Sequence, residues 1–123
     1  MSTELFGKLL RSLRQRTGKT MRDFCLENNF DPGNYSRLER GIFPPPQREE
    51  RLAKYATALG IKRGSDDWIV FFDTAAACRG QIPRDLLADH DLVKKLPVVF
   101  RSLRWSPVSP RKLDDLIDKI RKA

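Results

Sequence analysis

An all-α fold is predicted by three features of the chain. Apolar residues recur at three- and four-residue spacing almost throughout, no segment alternates convincingly as a strand, and helix-breaking residues fall between the periodic stretches. The 123 residues allow one domain with an appendage and exclude a barrel or doubly wound enzyme with its own cofactor site. With 40% hydrophobic and 33% charged residues and a mean hydropathy of −0.52, the composition is that of a globular rather than a disordered protein.

In the first helix Phe6, Leu9, Leu10 and Leu13 form an apolar stripe that Gly18 and Lys19 close. Thr20 is placed to cap a second helix through Met21, Phe24, Cys25 and Leu26, stopped by Asn28 and Asn29. Asp31 followed by Pro32 is a strong start for a third, because the carboxylate accepts an orphan amide hydrogen and proline suits the first turn. That helix spans residues 32–40, and Gly41 ends it. Pro44, Pro45 and Pro46 predict a stiff extended connector. A fourth helix follows over residues 47–59, with Leu52, Tyr55, Ala56 and Leu59 as its stripe and Gly60 as its stop.

A fifth helix is expected over residues 66–78, where Trp68, Ile69, Phe71, Phe72, Ala75 and Ala76 make a broad apolar stripe that needs cover. After Arg79 and Gly80 come residues 83–87, then 92–104 with a kink at Pro97, then 109–122. In the last, Leu113, Leu116, Ile117 and Ile120 oppose Asp115, Asp118, Lys119 and Arg121. The expected organisation is a first domain over residues 1–63, its core extended to about residue 79 by the fifth helix, and a helical extension over residues 80–123.

Charge and chemistry narrow the function. Lys and Arg number 24 against 16 Asp and Glu, a net charge of +8 and a pI of about 9.9, which favours a polyanionic partner. Residues 1–63 hold 13 basic and 7 acidic side chains, residues 64–123 hold 11 and 9, so the surplus belongs mainly to the first half. The opening segment has no apolar run of signal-peptide length and no stretch approaches a membrane span, so a cytoplasmic protein that engages no membrane is expected. Cys25 and Cys78, without a CxxC, read as apolar fillers, and His90 between Asp89 and Asp91 as an exposed residue. No catalytic residues, metal ligands or cofactors are expected: there is no Ser/His/Asp set and no phosphate-cradling glycine loop, and Asp66-Asp67 reads as a helix N-terminus.

The informative stretch is residues 20–41: a helix, a turn of Asn28, Asn29, Phe30 and Asp31, and a second short helix, the sequence shape of a helix-turn-helix. Burial is expected at Phe24, Cys25, Phe30, Tyr35 and Leu38. Pro32, Gly33, Asn34, Ser36, Arg37 and Arg40 are then left outward, a small, hydrogen-bonding or basic set. The string Tyr35-Ser36-Arg37-Leu38-Glu39-Arg40-Gly41 resembles the recognition-helix signature of the Cro/phage-repressor-like, or XRE, helix-turn-helix family. It is preceded at the expected distance by Phe24-Cys25, where that family usually has Leu-Ala, and by a basic first helix. The resemblance covers residues 4–62.

What the resemblance implies is a compact five-helix repressor-like DNA-binding domain followed by the C-terminal helical extension. It implies base contacts from Gly33, Asn34, Ser36 and Arg37, with Arg37 able to fork to guanine O6 and N7. Asn34 could fork to adenine or bond its own backbone, and Ser36 could face inward instead. Phosphate contacts fall to Arg22 and Arg40 and to the start of the second helix at Thr20 and Met21. Arg14 and Glu39 occupy the positions of a family salt bridge. Met21 departs from a family glutamine that bonds phosphate, and Pro32 and Gly33 stand where several phage repressors place base-reading glutamines, so no known operator carries over.

The expected function is a sequence-specific regulator, a repressor of transcription that binds double-stranded DNA as a homodimer on a palindromic operator. Its self-association is assigned to Phe71, Phe72, Leu113, Leu116 and Ile120, with Ile42 and Phe43 either covering the helix bundle or meeting the second copy. The alternative is an antitoxin or adaptor whose C-terminal helices bind a partner protein and whose DNA binding is autoregulatory.

Overall fold

The computed structural model describes residues 3–105, 111 and 114. It is all-helical: the described residues form seven helices and no strand. The chain divides into two units, Met1–Pro83 and Arg84–Ala123.

The first unit holds α1 (Glu4–Arg16), α2 (Met21–Asn28), α3 (Pro32–Glu39), α4 (Glu49–Ala58) and α5 (Asp66–Cys78). Local chemistry sets most of the boundaries. The Thr20 hydroxyl accepts the Asp23 amide hydrogen at 3.1 Å, Asp31 accepts that of Asn34 at 2.9 Å, and Ser65 accepts that of Trp68 at 3.2 Å. Helix α4 begins at Glu49, two residues later than the periodicity suggests, because Arg48 is still extended at φ −78° and ψ 130°. Glu49 and Glu50 then occupy the first turn, where carboxylates suit the helix dipole.

The core is assembled on α1, which packs against α3 and α5, while α2 packs on α3 and α4 on α5. Phe6, Leu10 and Leu13 of α1 are buried, with the Phe6 ring 5.2 Å from that of Phe71. A second cluster joins Phe24, Phe30, Tyr35 and Tyr55, with ring centres 5.1 Å apart for Phe24 and Tyr35 and 4.6 Å apart for Phe30 and Tyr55. Arg79 closes the far end by donating from Nη1 to the Pro45 carbonyl at 2.8 Å, holding the buried Pro45 against the end of α5. The Gln81 amide still returns to the Ala76 carbonyl at 2.8 Å, which keeps residues 79–81 with the first unit.

One expectation is corrected. Phe71, assigned to self-association, is 0% exposed, because α5 buries the line Phe71, Ala75 and Cys78 and turns Ile69 and Val70, each 52% exposed, to solvent. Phe72 is half-buried beside Trp68, the ring centres 5.0 Å apart.

The second unit contains α6 (Arg84–Leu87) and α7 (His90–Trp105). Helix α7 starts ahead of the predicted residue 92 because Asp89 Oδ1 accepts the Leu92 amide hydrogen at 3.1 Å, and it continues through Pro97. None of its described side chains is buried. Leu113, Leu116 and Ile120 lie outside the described residues. Among the described residues no helix is long and apolar enough to cross a membrane.

The closest approach in the core is at Gly7. A β-carbon there would lie 2.4 Å from the Glu39 carbonyl oxygen and 2.7 Å from that of Leu38, both backbone atoms that cannot swing aside. Gly7→Ala should therefore destabilise the first unit by about 1–3 kcal/mol, the usual range for overpacking, despite alanine's higher helix propensity. Urea denaturation followed by circular dichroism checks this, and an unchanged or raised midpoint would contradict the tight contact.

Candidate nucleic-acid interface

Helices α2 and α3 are joined by a turn that their own residues specify. Asn29 takes the left-handed conformation at φ 56°, which asparagine tolerates better than most side chains, and the Phe30 amide donates back to the Cys25 carbonyl at 2.9 Å. Pro32 opens α3 behind its Asp31 cap. The inner residues Tyr35 and Leu38 are buried in the core, and Glu39 is buried at the end of the helix.

Glu39 is held by a forked ion pair. Arg14 Nε donates to Glu39 Oε2 at 2.7 Å and Nη2 to Oε1 at 3.1 Å, while Nη1 donates to the Lys19 carbonyl at 3.0 Å. The side chains are only 11% and 3% exposed, so water screens the pair little. Removing one partner of such a pair costs about 3–5 kcal/mol, because the other charge is left buried alone. The hydrogen bond to Glu39 holds the Arg14 guanidinium above its ordinary pKa. The pair joins α1 to the end of α3.

The outer residues of α3 are arranged differently. Gly33, Asn34, Arg37 and Arg40 are exposed, and Ser36 is half-buried. Arg37 Nη1 donates to Asn34 Oδ1 at 3.4 Å, and its guanidinium carbon lies 5.6 Å from the centre of the Phe43 ring. The amides of Ile42 and Phe43 donate to the Arg37 carbonyl at 2.9 and 3.2 Å, so the loop after α3 folds back onto the residue that carries this head. Gly33, Asn34, Arg37 and Phe43 are thereby brought together.

At the start of α2, Thr20 is spent as a cap and Met21 packs its side chain on the core, which leaves the backbone amides of the first turn and the exposed Arg22. A cleft of about 490 Å³ opens beside Asn34, with Phe43, Arg48, Arg51 and Tyr55 in its lining. Arg51 lies with its guanidinium carbon 5.8 Å from the Tyr55 ring centre, and Arg48 precedes α4 without a side-chain cap. Sequence reasoning passed over these two arginines. The signal was available in the rigid proline run, which brings the next basic residues back beside α3. Among the described residues no group of three or more His, Cys, Asp or Glu side chains is gathered to hold a metal.

Behind this surface sit two groups that resist ionisation. Burial first, and the Glu39 carboxylate second, push the Tyr35 phenol up, and burial also pushes up the Cys25 thiol. Among the described residues the buried Tyr35 hydroxyl has no hydrogen-bond partner. Both groups are more readily ionised unfolded than folded, so their contribution is complete below the ordinary thiol and phenol values and is lost as pH rises through and beyond them. The urea midpoint should hold to about pH 8 and fall above about pH 8.5–10. Tyr35→Phe should flatten the upper part of that fall, and an unaltered slope would show that the phenol contributes nothing to it. Compared with protein-family models, curated proteins and solved structures, the chain matches none.

Proposed function

We propose that the first unit is a five-helix, repressor-like helix-turn-helix domain that binds double-stranded DNA sequence-specifically, α2 crossing the backbone and α3 entering the major groove. The observation that carries this reading is the two-sided build of α3. Its inner side is fixed by the aromatic core and the Arg14–Glu39 fork, and its outer side offers Gly33, Asn34 and Arg37 with no bulky apolar group among them. Rigid support under donor-rich side chains is what reading a base edge requires.

Around that head, the first-turn amides of α2, Arg22 and Arg40 are assigned to phosphates, and the cleft adds Arg48 and Arg51. Phosphate contacts set affinity and register, base contacts set sequence. One eight-residue helix covers too few base pairs for specificity in a genome, so the chain acts as a homodimer on a two-fold operator, most simply as a repressor. Ile42, Phe43 and Phe72 remain candidates for self-association, together with Leu113, Leu116 and Ile120. The chain is assigned to the cytoplasm, with no cofactor.

A second reading is favoured by α7, which exposes Val98, Val99, Phe100, Leu103 and Trp105, more apolar surface than DNA recognition needs. On this reading the second unit binds a partner protein, as an antitoxin or adaptor does, and the helix-turn-helix is autoregulatory. Co-purification from the native host separates the two: recovery of self-dimers alone favours the regulator.

Equilibrium titration of a selected duplex at two salt concentrations tests the division of labour. Arg37→Ala should erase the preference for the selected site at a cost of about 1–3 kcal/mol. Arg40→Ala should weaken selected and unrelated duplexes alike and reduce the salt slope by about one. If neither variant changes binding, these roles are wrong. Sedimentation of the same samples should give a dimer on DNA, and a monomer persisting at micromolar concentration and on the duplex would refute the two-fold arrangement.

A further inference from the structure

The pairing of Asn34 with Arg37 determines what α3 can read. A side-chain amide forks to adenine by accepting from N6 with its oxygen while its nitrogen donates to N7. In this protein the Asn34 oxygen is engaged by Arg37 Nη1 at 3.4 Å. Arg37 thereby takes one of the two lone pairs of that oxygen and sets beside it a guanidinium, which has no acceptor at all. Adenine's N6 hydrogens would meet the positive charge of that guanidinium, whereas guanine offers it the acceptors O6 and N7.

The head is also held in place before any ligand arrives. Gly33 flanks the guanidinium: a β-carbon there would stand 3.4 Å from Arg37 Nη1, an ordinary contact, and 3.3 Å from Asp31 Oδ2. Phe43 closes the other side, its ring centre 5.6 Å from the guanidinium carbon. Arginine is the longest side chain on this surface, and confining it in advance lowers the entropy lost when it binds.

Resting on the DNA-binding reading above, we propose that Asn34 and Arg37 act as one cationic, donor-rich head, positioned by Phe43, that selects guanine over adenine. Asn34 is then a specificity-determining residue that works with Arg37 on the same base pair, and Phe43 is a positioning residue.

The test is selection of duplexes from a random pool by the full chain, followed by titration of the selected site and its single-base variants. The selected half-site should carry guanine at a position whose preference falls roughly ten- to hundredfold in Arg37→Ala. Asn34→Ala should weaken the preference at that same position, and the double variant should lose no more than about twofold beyond Arg37→Ala, as expected for residues acting as a unit. Phe43→Leu should reduce the discrimination several-fold, read as the ratio of affinities for the selected site and its single-base variants, and Phe43→Tyr should retain it. An adenine preference that disappears in Asn34→Ala at a different position from that of Arg37 overturns the single head while leaving DNA binding intact. Full discrimination in Phe43→Leu overturns the positioning role, and failure to enrich any duplex removes the DNA-binding reading and this inference together.

Discussion

The separation of α1 and α3 is set where Gly7 meets the backbone carbonyls of Leu38 and Glu39, and the rest of the first unit is built around that contact. With no side chain between them, the two helices approach closely enough for Arg14, two turns further along α1, to fork onto Glu39. The same approach repeats beyond the end of α3, where Gly41 lies against the start of α1 and its carbonyl accepts from the Thr3 hydroxyl. Three contacts along the pair thus hold α3 against α1, one steric, one ionic and one hydrogen-bonded. An eight-residue helix has little stability by itself, so its order comes from these contacts, its Asp31 cap and the aromatic core.

That division accounts for how a single short helix serves two demands. Tyr35, Leu38 and Glu39 are immobilised on the inside, and Gly33, Asn34, Arg37 and Arg40 are left on the outside, within the same eight-residue helix and its C-cap. Substitutions on the inner side should therefore affect stability and those on the outer side the proposed recognition, with little exchange between them. Arg37 is the exception, because its guanidinium also lies 5.6 Å from the ring centre of Phe43 in the returning loop.

The helices were legible in the sequence where their ends carry chemistry. Thr20, Asp31 and Ser65 are side-chain caps in the structure, and α5 has the bounds its pattern predicts. The start without such a mark shifted, since α4 waits for Arg48 to leave the extended conformation, and α7 begins early on a cap, Asp89, that its apolar spacing did not point to. Facing was harder to read on α5, whose apolar residues run most of the way round, so periodicity alone could not say that Phe71 points inward and Ile69 outward. Gly7 carried no local signal, since a glycine inside a helix looks like a propensity defect until its neighbour is known. At the candidate site each outward residue was identifiable singly, but the bond between Asn34 and Arg37 and the ring beneath the guanidinium depend on rotamers and on the path of the loop.

The two cysteines are both buried, Cys25 on α2 and Cys78 at the end of α5, and neither is disulfide-bonded. A buried thiol reacts with an external reagent only when its surroundings open, so the chain carries two native stopwatches on separate helices. The rate at which each thiol is labelled measures how often its own part of the core comes apart, and a difference between the two rates would divide the first unit into regions that open independently. Disulfide-forming or alkylating conditions used in handling the protein will accordingly sample its fluctuations rather than its resting surface.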